Sequence, residues 1–317
     1  MTVSPQYDKI RRILRERRAA PSTDVIELRR RMTDAALPPG DDVTVEAITL
    51  GGIAAERVAA RTAHTDQAIL YAHGGGFCQG SPVTHRKLAG DVSRASGAVC
   101  YVVAYRLAPE HTMPAPIDDL VDAYRGLLET HPAQAIVFVG DSAGGALVVL
   151  AATRLKEAHL PMPAGLITMT PWVDYPCGDP SVTERAKDDP IVDVPELRNY
   201  QNWFLGRYAA TDPAVSPIHA DLSGLPPMLI HGGGGDSLCS DAAALAAHAR
   251  AAGVDVTHRQ VPEMVHVWHV FAGRVPESTE AVEDIGAFAQ RRFAAGQTRE
   301  AATSADDLAG QSLAGRS

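Results

Sequence analysis

Ile136-Val-Phe-Val-Gly-Asp-Ser-Ala-Gly-Gly145 decides the fold of this 317-residue chain. Ala135 to Val139 form an apolar run of a length that suits a buried strand, and Ala146 to Glu157 have helical character. Between them lies Gly140-Asp-Ser-Ala-Gly144, a G-x-S-x-G pattern. A strand that turns sharply into a helix at a serine is a nucleophile elbow. The turn is tight enough to need glycine on both sides, and it holds the serine oxygen above the sheet edge. The helix N-terminus below it directs N–H groups at the point where negative charge would develop. G-x-S-x-G also arises by chance, so the strand before and the helix after are what give it weight.

On either side of this stretch, strands and helices alternate. Val43 to Leu50 alternates apolar and polar residues, and Gly51-Gly52 turns it into a second strand ending near Ala60. Ala68 to Ala72 is a buried strand that runs into His73-Gly-Gly-Gly-Phe77. Helices over 82–96, 116–130 and 146–157 then alternate with strands over 98–104, 135–139 and 165–169. A strand at 227–230, a helix at 241–252, a strand at 255–261 and a helix at 277–293 complete the series. This predicts an α/β fold with a mostly parallel sheet, helices on both faces and an antiparallel hairpin at the entrance.

Two stretches stand outside that rhythm. Residues 1–40 carry two amphipathic helices, over 6–18 and 23–35, ended by Pro38-Pro-Gly40. Residues 173–225 hold Pro176, Pro180, Pro190 and Pro195 and an aromatic helix from Pro195 to Tyr208. So long an excursion between adjacent strands reads as a lid. Both stretches are expected to cap the carboxyl edge of the sheet, with Trp203 and Phe204 facing the substrate. Residues 41–295 are then the catalytic domain, and 296–317, small and polar, a disordered tail.

The serine needs partners. Its hydroxyl is a poor nucleophile unless a base lies within hydrogen-bond reach and an acid fixes that base's tautomer. On this fold the order is Ser, then Asp or Glu, then His. Asp236 is the first carboxylate after the strand Met228-Leu-Ile-His231, whereas Asp241 reads as the N-cap of the next helix. His266 and His269 both follow the last strand, and His266 comes soonest. A metal reading of His258, His266 and His269 lacks a carboxylate at helical spacing, so no metal is expected. Acyl transfer also needs donors for an oxyanion. The glycine loop offers the N–H groups of Gly74 and Gly75, joined by Ala143 beside the serine.

Composition limits the other classes. The net charge of −9 speaks against a nucleic-acid surface, and the basic run Lys9 to Arg18, with Asp8 and Glu16 interspersed, reads as an exposed amphipathic helix. No apolar run approaches the roughly 20 residues that span a bilayer, and the N-terminus lacks the apolar core of a signal peptide. Cys78, Cys100, Cys177 and Cys239 are far apart and read as reduced thiols. A cytoplasmic enzyme without stable membrane insertion is expected.

His73-Gly-Gly-Gly-Phe77, Tyr105-Arg-Leu-Ala-Pro-Glu110, Gly140-Asp-Ser-Ala-Gly-Gly145, Asp236-Ser-Leu and His266 together resemble the hormone-sensitive-lipase family of α/β-hydrolases, over about residues 40–295. The resemblance implies a cofactor-free serine ester hydrolase acting on short- to medium-chain acyl esters or lactones through an acyl-enzyme. Tyr105 to Glu110 would be a structural turn. Dimers are common in the family, which leaves a homodimer open. The same triad could cleave amides, and receptors of this fold bind ligands after losing catalytic residues. The chain departs from the family at Ala104, where aspartate is common, and in Pro262-Glu-Met-Val265 and at Val267, where glycines are common.

Overall fold

The computed structural model describes residues 3–314, with side chains to residue 298. Gly51 and Gly52 turn strand β1 (Val43–Leu50) back along β2 (Ile53–Ala60), pairing Leu50 with Ile53 and Val43 with Ala60. β2 lies antiparallel to β4 (Ala98–Val103). Beyond it β3 (His64–Ala72), β5 (Ile136–Asp141), β6 (Gly165–Met169), β7 (Met228–Gly233) and β8 (Val256–Val261) all run parallel. The sheet has eight strands in the order β1-β2-β4-β3-β5-β6-β7-β8. β5 is therefore central, and the turns that leave β3, β5, β7 and β8 open on one edge of the sheet.

The central strands are buried on both faces, as parallel strands under helices must be. Their alternation feeds two cores. Leu70, Ile136 and Phe138 pack on one side with α4 (Ala115–Leu128), α5 (Ala143–Glu157) and α8 (Cys239–Ala251). Ile69, Tyr71, Val137 and Val139 pack on the other with α3 (Pro82–Ser96) and α9 (Pro276–Ala314).

The N-terminal helices are α1 (Pro5–Glu16) and α2 (Val25–Asp34), and the excursion after β6 carries α6 (Pro180–Arg185) and α7 (Val194–Phe204). Each starts at a side chain that caps its first turn: Ser4, Asp24, Asp179 and Asp193. Such caps contribute about 1 kcal/mol each. α7 stops at Phe204, short of the expected Tyr208, because Gly206 at φ 61° turns the chain away. At the other end the backbone departs from the tail expected from residue 296: α9 runs on to Ala314. Ala301, Ala302 and Ala305 favour helix more than the polarity of the segment suggested, and Gly296 still packs against Gln134. Residues 315–317 lie outside the described residues. Among the described residues no helix is long and apolar enough to cross a membrane.

Candidate active site

The elbow is built by steric necessity. A Cβ at Gly140 would lie 2.2 Å from the Gly144 carbonyl oxygen, and one at Gly144 would lie 2.0 Å from that of Ala72. Ser142 itself takes φ 52°, ψ −123°, a conformation that costs on the order of 1–3 kcal/mol in a non-glycine residue. Its neighbours over-determine it. Ser142 N–H donates to Met169 at 2.9 Å, and its carbonyl accepts from Gly145 at 3.0 Å and Trp172 at 3.1 Å. α5 starts at once, at Ala143 rather than near Ala146.

The loop after β8 brings His266 to Asp236. His266 Nδ1 donates to Asp236 Oδ2 at 2.8 Å, and Asp236 Oδ1 accepts from Leu238 N–H at 2.8 Å. With Nδ1 occupied, Nε2 is left as the free ring acceptor. Burial by itself would lower the His266 pKa, but the charge and hydrogen bond of Asp236 outweigh it and leave it raised. Ser142 and His266 line one cavity of about 480 Å³. Among the described residues no hydrogen bond joins the serine oxygen to the imidazole, and such contacts commonly tighten only around substrate.

The glycine loop departs from the expected donors in one place. Gly74 N–H is already committed to Asp141 Oδ1 at 3.1 Å, and Gly74 does not line the cavity. Gly75 and Gly76 both line it, and their N–H groups make no hydrogen bond among the described residues. Ala143 N–H, at the first position of α5, is likewise unpaired. The N–H groups left unpaired beside Ser142 among the described residues are thus those of Gly75, Gly76 and Ala143, whereas that of Gly74 is taken by Asp141. The position of Gly74 explains the shift, since it lies against Asp141, whose Oδ2 would stand 2.3 Å from a Cβ there.

Asp141, inside the serine motif, does what the sequence left unassigned. Buried, it accepts from Tyr71 Oη at 2.8 Å and from Gly74, and so ties the glycine loop to the elbow. Burial would raise its carboxyl pKa, yet His85 and Tyr71 hold it low. His73 stacks on Tyr105 at 4.2 Å, and Tyr105 Oη donates to His73 carbonyl oxygen at 2.6 Å. Burial takes the His73 pKa down to about 3, so the ring is neutral.

Other assignments move. Asp241 is not an N-cap; α8 begins two residues earlier, and its buried carboxylate accepts from Val173 at 2.7 Å and Asp174 at 2.8 Å. Asp189, which no pattern marked, is buried and accepts from Ser237 N–H at 2.7 Å beside the Asp236 carboxylate. His269 turns to His231, at 3.0 Å, so His258, His266 and His269 form no common ligand set. Neither Trp203 nor Phe204 lines the cavity. Phe204 is buried among Phe77, Trp172 and Tyr175, with centroids 4.4, 5.5 and 4.9 Å away, and Trp203 leans on Tyr200 at 6.0 Å. The helical period puts Glu196, Leu197 and Tyr200 on the cavity side instead.

Known proteins resemble this chain in sequence and fold. A family profile described as alpha/beta hydrolase fold covers residues 69–270. An acetyl-hydrolase of Streptomyces hygroscopicus is 40% identical over 80% of this chain and 83% of its own length. The chain belongs to the α/β-hydrolase family. An esterase of Acinetobacter venetianus is 33% identical to this hydrolase over 80% of the chain and 84% of the relative. Among solved structures, an esterase/lipase from an uncultured bacterium superposes with a TM-score of 0.88 at 40% identity, covering 92% of this hydrolase and 99% of the other. An esterase of the bacterial hormone-sensitive lipase family does so with 0.88 at 38% identity, covering 92% and 100%. The hydrolase is a carboxylesterase of that hormone-sensitive-lipase type.

Proposed function

We propose that Ser142 is the nucleophile, His266 the general base and Asp236 the residue that fixes and compensates the imidazole. The hydrogen bond from His266 Nδ1 to Asp236 carries this reading, because it leaves Nε2 free in the cavity that Ser142 shares. Ser142 attacks the ester carbonyl while His266 Nε2 takes its proton, and the oxyanion lies on Gly75, Gly76 and Ala143. His266 then protonates the departing alcohol. Water, deprotonated by the same histidine, attacks the acyl carbonyl, and His266 gives that proton to Ser142 Oγ as the acyl–serine bond breaks and the acid departs.

The mostly apolar walls support the choice of substrate class. Leu14, Met32, Leu88, Leu197, Leu238 and Phe271 line the cavity, whose volume falls within the roughly 300–1,000 Å³ of small-molecule sites. Uncharged short- to medium-chain esters and lactones suit it. α1, α2 and the 173–225 excursion act as its cap, since Leu14, Met32, Ile191 and Leu197 all come from them. We place the enzyme in the cytoplasm, in keeping with its four free cysteines, with no nucleic-acid partner. A homodimer would cover the sheet edge that β8 leaves unpaired.

A series of p-nitrophenyl esters from acetate to palmitate, with lactones and one matched amide, tests the proposal in wild type and Ser142→Ala. Maximal kcat/KM on an ester of middle length, and a loss on the order of a millionfold in kcat in the variant, are expected. Hydrolysis by purified Ser142→Ala near the wild-type rate would overturn it.

A further inference from the structure

The loop that carries His266 is strained on both sides of it. Glu263 sits at φ 63° and Val267 at φ 46°. For a β-branched residue the left-handed region is a genuine outlier, and each such residue costs on the order of 1–3 kcal/mol. A conformation of this kind persists only where something outside the loop holds it.

Val267 N–H donates to Thr170 Oγ1 at 3.2 Å, and on the Glu263 side the restraint comes from the far end of the chain. Tyr7 of α1 is completely buried against Met264, Val265 and Trp268. Its hydroxyl donates to the Glu263 carbonyl at 2.6 Å and accepts from Val265 N–H at 2.8 Å. Burial raises the phenol pKa, so the donor is present at any working pH. Arg11, one turn on, pairs with Glu263 at 2.9 Å. Leu14, two turns from Tyr7 and on the same face, lines the cavity.

We propose that Tyr7 is a positioning residue for catalysis: its hydroxyl, bridging Glu263 and Val265, sets the loop that aims His266 at Ser142. This rests on His266 being the base. α1 is thereby part of the catalytic apparatus as well as a wall, because one helix face holds both the base loop and the substrate cavity. A misplacement of about 1 Å at a reacting group can cost on the order of a hundredfold in rate, so loss of this bridge acts on the chemical step.

The test compares wild type, Tyr7→Phe and His266→Ala on p-nitrophenyl butyrate, with circular dichroism as the folding control. Tyr7→Phe keeps the ring and removes only the bridge. We expect kcat to fall about tenfold or more while KM stays within about twofold. The low-field proton resonance of the His266–Asp236 hydrogen bond should shift or broaden in parallel. Wild-type kcat in folded Tyr7→Phe, with His266→Ala inactive, would overturn the role of Tyr7 alone, even if the melting temperature dropped. An active His266→Ala would instead overturn the reading of His266 as base. Should Tyr7→Phe not fold, amide exchange in the wild-type protein decides: Val265 N–H is expected to be protected, and exchange at solvent rates would overturn the bridge.

Discussion

His266–Asp236 and His231–Asp284 are both histidine–carboxylate pairs, the second with its carboxylate partly exposed, and only the first lies beside the cavity that holds Ser142. His266 donates to Asp236 at 2.8 Å beside the cavity that holds Ser142. His231 Nε2 meets Asp284 at 3.1 Å, and its Nδ1 meets His269 at 3.0 Å under the Trp268 ring, 4.0 Å from His269. Neither His231 nor His269 lines the cavity. The pKa of His269 is pushed well down by burial and by His231, whereas the charge of Asp236 lifts that of His266. The pairs have similar chemistry. Pairing alone does not make a base; a free ring nitrogen open to a cavity and its nucleophile does.

The contrast can be broken most sharply at the carboxylates. Asp236→Asn removes the acceptor that fixes the His266 tautomer and should cost on the order of 10⁴ in kcat. Asp284→Asn should leave kcat within about tenfold and act mainly on the melting temperature. Equal kcat losses in steady-state assays would mean that both pairs serve the reaction.

A smaller effect separates the two faces of α7. Tyr200→Ala enlarges the cavity and should shift the ester chain-length preference by one or more two-carbon steps. Trp203→Ala, off the cavity, should leave the preference unchanged. kcat/KM across the ester series reads both, and a shift in Trp203→Ala would return that residue to the substrate.

The smallest expected effect is in pH dependence, where the two histidines have opposite signs. His266 must be neutral to accept a proton, and its pKa is raised, so kcat/KM should fall as pH drops through a value above the usual 6.5. His269 has a depressed pKa in the folded state. Below about pH 6.5 the unfolded chain binds a proton there that the folded chain refuses, so stability is lost as pH falls. His269→Gln should reduce that acid sensitivity by about 2–4 °C in melting temperature, with the acid limb of activity unmoved. A limb that moved with His269 would tie the two clusters together.

Much of this was legible in the sequence where one local rule dominates. The elbow follows from glycines that no side chain can replace, and the strand–helix rhythm from apolar runs, so β1, β2, α3 and β6 fall where the pattern puts them. What stayed hidden depends on direction or on distant partners. Which glycine N–H groups face the cavity is set by Asp141 capturing Gly74. Trp203 and Phe204 were plausible by composition, but the phase of α7 gives the cavity to Leu197 and Tyr200. The absence of glycine at 263 and 267 did carry a signal: Glu263 and Val267 take the left-handed conformations that glycine adopts at least cost. What holds that loop, Thr170 at Val267 and Tyr7 on a helix more than 250 residues away at Glu263, has no local signature.

The most direct test is kcat on p-nitrophenyl butyrate for His266→Ala and His269→Ala, two variants three positions apart in one loop. With His266 as the base, its removal should cost about as much as Ser142→Ala, on the order of a millionfold, while His269→Ala stays within about tenfold of wild type. The reverse order, or equal losses in two folded proteins, would contradict the assignment of the base and with it the mechanism.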